Sequence, residues 1–253
     1  MQKDEKNNSA SRARWLLLNA QRQNDQKKTI DAWREVLTYG QGDELDAFEV
    51  IRLVELLRNE VKITERLLAK EGVPENKYKS HINNAYRATA LENVNASWAN
   101  YRKYITPELL VCFSFAEFII TDDEPTFDEE EILKIQELIA ELEASLEIGE
   151  FSNELVDFIN DQIALLKRGL HDLSIRGSKA LQKCYVDGLG EIIENSDVIK
   201  DNHGTEPIEK LRSAWEHMKS ATNKAAELNK SIDTWSKVTE KGANLLEHLG
   251  NLI

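Results

Sequence analysis

PELLVCFSFAEFII, residues 107–120, is the most apolar stretch of the chain, and its reading decides whether the helices lie in lipid or pack on one another. A membrane-crossing helix needs about 20 apolar residues, whereas a run of about 10–14 belongs to the buried helix of a folded core. This run is interrupted by Ser114 and Glu117 and is followed by Asp122-Asp123-Glu124. The expectation is a core helix, apolar on nearly every side and central, with neighbours around it. Glu117 is then the odd member, either facing an open side or paired with a cation. Cys112, between Val111 and Phe113, reads as a small core residue, because a reactive thiol needs an exposed, electropositive setting.

Helical spacing continues on both sides of this segment. Thr106-Pro107 marks its start, since proline suits the first turn of a helix and disfavours helix before it. Upstream, Trp15, Leu18, Ile30, Trp33, Val36 and Leu37 predict one long helix from Ser11 to Tyr39, or two meeting near Gln23–Gln26. After the break YGQGD (39–43), with Asp43 as N-cap, Val50, Val54, Leu57, Val61 and Leu68 share one face of a helix ending near Lys70. Leu91, Val94, Trp98, Tyr101 and Ile105 predict a third helix, running from the EGVP turn (71–74) to Ile105.

Downstream, Thr126 and Glu129 have capping-box spacing, and Asp128 to Glu131 place carboxylates where the helix dipole favours them. The stripe Ile132, Ile135, Ile139, Leu142, Leu146 follows, and Gly149 closes it. Ser152 caps a helix striped by Leu155, Ile159, Ile163, Leu166, Leu170 and Leu173, with a break at Gly177. Leu181, Cys184, Leu189 and Ile192 mark a shorter helix. From Ile208 to Val238 the apolar positions keep to steps of three or four, which predicts a helix of roughly 35 residues, about 50 Å long. No segment alternates as a strand does. The reading is all-α, a bundle of about seven to nine helices with a long amphipathic C-terminal helix. Its parts are residues 1–121, an acidic part at 122–204, and the long helix at 205–253, which together can form one domain.

Composition narrows the function classes. A hydrophobic fraction of 41% with 30% charged residues is that of a folded soluble chain, and only 11 Gly and 4 Pro are present to force turns. A net charge of −13 opposes binding to a phosphate backbone, so nucleic acid is disfavoured as a partner despite a mildly cationic residue set at 1–40. Two cysteines form no disulfide framework, and the N-terminus has no apolar signal core; both suit a reducing cytoplasm.

No chemical motif emerges. The histidines at 81, 171, 203, 217 and 248 lack metal spacing, and neither cysteine lies in a C-x-x-C pair. A His171–Cys184 couple has no orienting third group. Gly188-Leu189-Gly190 lacks the third glycine and preceding strand of a dinucleotide loop, so close helix packing is the better use of these glycines. TDDEPTFDEEE (121–131) fails as an EF-hand loop, because Phe127 and Leu133 stand where glycine and glutamate are required. No metal or other cofactor is expected, and no catalytic residue.

Charge and stripe patterns instead suggest surfaces. From Asp122 to Asp161 fifteen acids face Lys134 alone, so Glu137, Glu141 and Glu147 are candidates for a face that docks a basic protein. The stripe of the last helix either lies along the bundle as core or projects, in which case Trp215, Met218, Leu228 and Trp235 are candidates for contact with a partner or a second copy. The tail GANLLEHLGNLI (242–253) is apolar enough to touch a membrane, though too short to span one and poor in the basic residues of strong interfacial helices.

Two segments, NAQRQNDQKKTIDAW (19–33) and LLKRGLHDLSIRGSKALQK (165–183), resemble stretches of uncharacterised all-helical bacterial proteins, some associated with defence or mobile loci. The resemblance spans roughly the first 200 residues and implies a bacterial accessory or anti-phage role; it carries over no functional residue. The expected function is that of a non-enzymatic, cytoplasmic interaction, regulatory or oligomerising protein. The alternative is a membrane-acting effector working through its C-terminal helix.

Overall fold

The computed structural model describes residues 7–38, 45–121 and 129–227, and every regular element among them is helical. The chain divides into two compact units: residues 1–124 with Ser174–Gly177, and residues 125–173 with 178–253. Eleven α-helices are formed among the described residues, more than the seven to nine expected.

The first unit contains α1 (Ser9–Gln21), α2 (Thr29–Leu37), α3 (Ala47–Lys70), a 3-10 turn (Glu75–Lys77), α4 (Lys79–Ala88), α5 (Ala99–Arg102) and α6 (Pro107–Ile119). Asn8 caps α1 by accepting from the Ala10 and Ser11 amides at 3.1 Å, and Ser11 Oγ accepts in return from the Asn8 amide at 3.0 Å. This reciprocal cap satisfies donors that the first turn of a helix leaves unpaired. α3 is capped by Asp46, whose carboxylate accepts from the Glu49 amide at 2.8 Å; the expected cap, Asp43, lies outside the described residues. All five members of the predicted α3 stripe, from Val50 to Leu68, are buried.

The predicted third helix is not continuous. α4 ends at Ala88, and residues 89–98 are irregular before the short α5. Their backbone pairs with a distant segment instead: Thr29 N donates to Ala96 O (2.9 Å), Ile30 N to Val94 O (3.0 Å) and Trp98 N to Lys27 O (2.8 Å). The Trp98 indole donates to Ala20 O at 3.0 Å and meets Trp33 edge-on at 5.4 Å between ring centres. The apolar spacing of Val94 and Trp98 was that of a helix, but the hydrogen bonds come from across the chain.

A buried polar group ties this unit together. Arg12 and Glu60, both buried, form an ion pair at 2.8 Å, and Arg12 also donates to Asn7 Oδ1 at 3.2 Å and to Ile175 O at 2.8 Å. A buried pair is costly to desolvate and tolerable only when its remaining donors and acceptors are met, so each partner depends on the other.

The second unit contains α7 (Glu129–Ile148), α8 (Asn153–Arg176, whose last three residues belong to the first unit), α9 (Ser178–Glu194), α10 (Ser196–Asp201) and α11 (Glu206–Glu227). Ser152 Oγ caps α8 through the Leu155 amide at 3.3 Å, and Gly177 turns the chain between α8 and α9 at φ 61°, where a side chain would be strained. α11 packs against α7 and α9. Its stripe Ile208, Leu211, Trp215, Met218 and Ala221 is buried against Ile135, Ile139, Leu142, Leu181 and Leu189. Leu228, Trp235 and residues 242–253 lie outside the described residues, and with them the full length expected of this helix.

Gly188 shows why a glycine stands on α9. A Cβ there would lie 2.1 Å from Cη2 of Trp215, a ring that is itself buried. The ring is held in place, because its Nε1 donates to Gln162 Oε1 at 3.0 Å while Gln162 Nε2 donates to Glu191 Oε2 at 2.9 Å. Gly190, two residues on, meets nothing within 4 Å. Close packing therefore accounts for Gly188 and not for Gly190, and both lie inside a helix rather than in a phosphate-binding loop.

Candidate functional site

The apolar stretch at 107–120 forms α6 with the expected start: Thr106 Oγ1 accepts from the Leu109 amide at 3.3 Å and Pro107 occupies the first turn. Its surroundings differ from the expectation. Leu109, Phe113, Ala116 and Glu117 face inward, and α6 packs on α1, α4 and α3. Side chains on the opposite side are exposed. Phe115 is 65% exposed, Phe118 68%, Val111 53% and Ile119 37%.

Their spacing makes these residues one surface. Val111, Phe115 and Phe118 follow at steps of four and three, so they rise along one face of the helix, with Ile119 and the half-buried Cys112 beside them. With an aromatic side chain offering about 150–250 Å², the four exposed apolar residues present on the order of 400 Å². A contiguous patch of that size is within the range of the largest apolar patches on folded proteins, which are often functional, whereas single exposed apolar residues need no explanation.

The expectation of a central helix with neighbours on most sides is therefore corrected. A helix whose outer face is mostly apolar looks buried from sequence, and nothing local distinguishes covered phenylalanine from exposed phenylalanine. Glu117 takes the second of its two expected roles. It is buried, lies 3.7 Å from Arg14, and its backbone carbonyl accepts from Asn8 Nδ2 at 3.0 Å. That inversion, a carboxylate turned inward and aromatics outward, comes from the packing of distant helices and leaves no local signal in the sequence.

Glu108, at the N-terminal end of α6, is exposed on the same side. Its carboxyl is held below the usual glutamate range by the backbone amide of its own turn and by Thr106, with a smaller contribution from His81. The Cys112 thiol is shifted upward by burial, and Cys184 is pushed up to about 12, first by burial and then by Asp187 and Asp172. Cys184 Sγ points to Leu165 O at 3.3 Å. Neither thiol has the cationic setting that would make it a nucleophile.

The sequence-derived contact candidates fall in different places. Trp215 and Met218 are 1% and 0% exposed in the core of the second unit, so they are packing residues in this structure and not surface contacts. Leu228 and Trp235 lie outside the described residues. Glu137, Glu141 and Glu147 are all exposed on α7; Glu137 pairs with Lys134 at 3.0 Å and Glu141 with Lys210 at 3.6 Å.

His217, Glu131 and Ser220 meet on α7 and α11 without forming a nucleophile–base relay. His217 Nδ1 lies 2.8 Å from Glu131 Oε2, and Ser220 Oγ donates to Glu131 Oε1 at 3.0 Å. Both point at the carboxylate, so the serine proton is directed to Glu131 rather than to the histidine, unlike a nucleophile–base relay. Among the described residues no three of His, Cys, Asp and Glu gather as a metal ion would require, and no helix is long and apolar enough to cross a membrane. No family model, curated protein or solved structure matches the chain.

Proposed function

We propose that this chain is a non-enzymatic helical protein that works by docking another protein on the open face of α6. The observation that carries this reading is the exposed row Val111, Phe115, Phe118 and Ile119 on a helix whose other side is anchored in a packed core. Aromatic anchors of this kind dominate interface energetics, and about 400 Å² of apolar surface suits the centre of a patch of about 800 Å² per partner. The exposed carboxylates of α7 support a further role in steering, since residues 125–253 carry 25 acids against 14 Lys and Arg. Such a field raises association rates with a cationic partner and weakens with salt.

The test compares the full chain with a Val111→Ser/Phe115→Ser variant. Both positions are exposed, so thermal stability should change by no more than about 0.5 kcal/mol. The reading expects a binding partner, or a self-associated species seen by light scattering, that the variant loses. Identical partners and identical size for the two proteins would refute it.

A further inference from the structure

Gly190 stands where nothing within its own unit requires a glycine. Inside a helix glycine is less stable than alanine, and it earns its place where φ is positive or where another backbone comes close. Neither holds at Gly190. It lies within α9 with no left-handed φ, it is exposed, and a Cβ built on it would meet nothing within 4 Å.

The residues around it have the spacing of a helix-pairing seam. Lys183, Val186, Gly190 and Ile193 follow at steps of three, four and three, on the side of α9 away from the buried Leu181 and Ile192. Val186 is half-buried and Ile193 is 43% exposed, so two apolar side chains border the notch that the glycine leaves. A further step of four reaches Asp197 on α10. Helical bonding continues on both sides of the joining residue, since Asn195 N donates to Glu191 O at 3.0 Å and Ile199 N to Asn195 O at 3.2 Å.

Charge along the seam selects its occupant. Lys183 stands seven residues before Gly190 and Asp197 seven after, and both are exposed. A second α9 crossing antiparallel at Gly190 would bring Lys183 of each copy to Asp197 of the other, two ion pairs about one two-fold axis, while the paired glycines let the backbones approach. Parallel pairing would set lysine beside lysine and aspartate beside aspartate, which opposes it. The present partners of these charges, Asp187 at 2.6 Å from Lys183 and Lys200 at 3.3 Å from Asp197, are neighbours on the same helices, and such surface pairs hold weakly against a new partner. We infer that the α9 seam joins two copies of this chain as a weak antiparallel dimer with Gly190 at the crossing point. The inference is independent of the α6 docking face.

Sedimentation velocity of the full chain over a range of about 5–200 μM tests it. The wild type should move towards twice the monomer mass as concentration rises. Gly190→Leu, which fills the notch with a good helix former, should weaken association by at least about tenfold, and so should Lys183→Glu. Lys183→Glu/Asp197→Lys should return the affinity to within about threefold of wild type, a rescue that misfolding of the single variant would not give. A wild type that stays monomeric throughout would overturn the inference. So would a dimer indifferent to Gly190→Leu, or a charge-swapped protein as weak as Lys183→Glu alone. A dimer abolished by Val111→Ser/Phe115→Ser would assign self-association to α6 and overturn it as well.

Discussion

Two glycines on α9, two residues apart, should respond in opposite directions to the same substitution. At Gly188 a methyl group would be placed 2.1 Å from Cη2 and 2.2 Å from Cζ2 of Trp215, well inside contact distance. The ring has little room to yield, being 1% exposed and hydrogen-bonded to Gln162. Overpacking of this kind costs about 1–3 kcal/mol, and displacing the indole puts about another 1 kcal/mol of hydrogen bond at risk. Alanine returns about 1 kcal/mol of helix propensity, so Gly188→Ala should destabilise by about 1–3 kcal/mol. At Gly190 nothing lies within 4 Å, so Gly190→Ala should keep most of the propensity gain and stabilise by about 0.5–1 kcal/mol. Urea unfolding of the full chain, followed by near-ultraviolet dichroism for the Trp215 environment, separates the two. With a slope of about 2 kcal/mol per molar, the midpoints should move roughly 1 M down and a few tenths up. A Gly188→Ala protein as stable as Gly190→Ala would refute the packing described for Trp215.

Three further outcomes follow from buried groups. Glu60→Ala should destabilise by about 3–5 kcal/mol by leaving the Arg12 guanidinium buried without its carboxylate, and Arg12→Met/Glu60→Leu should recover much of that loss in thermal melts. Glu191 has its carboxyl raised in the folded state, first by burial and then by Asp161, so the folded chain holds that proton more tightly than the unfolded one. Its ionisation therefore costs stability above the raised folded pKa and nothing below the ordinary value of 4.5, and Glu191→Gln should raise the melting temperature at pH 7 but not at pH 4. A thiol reagent at pH 8 should modify Cys112 in the native protein and spare Cys184, with both reacting in denaturant; equal native rates would contradict the burial of Cys184.

Much of the helical order was legible because apolar spacing and caps are local. The α3 stripe, the Ser152 cap and the turn at Gly177 need only neighbouring residues to be read. Two features depended on distant ones. Residues 89–98 leave the helix because their carbonyls and amides meet residues 27–30, a pairing that spacing cannot reveal. The open face of α6 is decided by which helices come to lie against it, and Phe113 and Phe115 differ in fate while being alike in sequence. Trp215 was open to two readings for the complementary reason. A tryptophan on an amphipathic stripe serves a core or an interface equally well, and only the fit of its ring over Gly188 identifies the core.

Hydroxyl-radical footprinting of the purified full chain tests the central claim most directly, because it reads side-chain exposure in solution. An open α6 ridge predicts heavy oxidation of Phe115 and Phe118 beside little at Phe113 on the same helix. Equal protection of all three in the monomeric chain would mean that the ridge is covered by the protein itself and has no face to offer a partner.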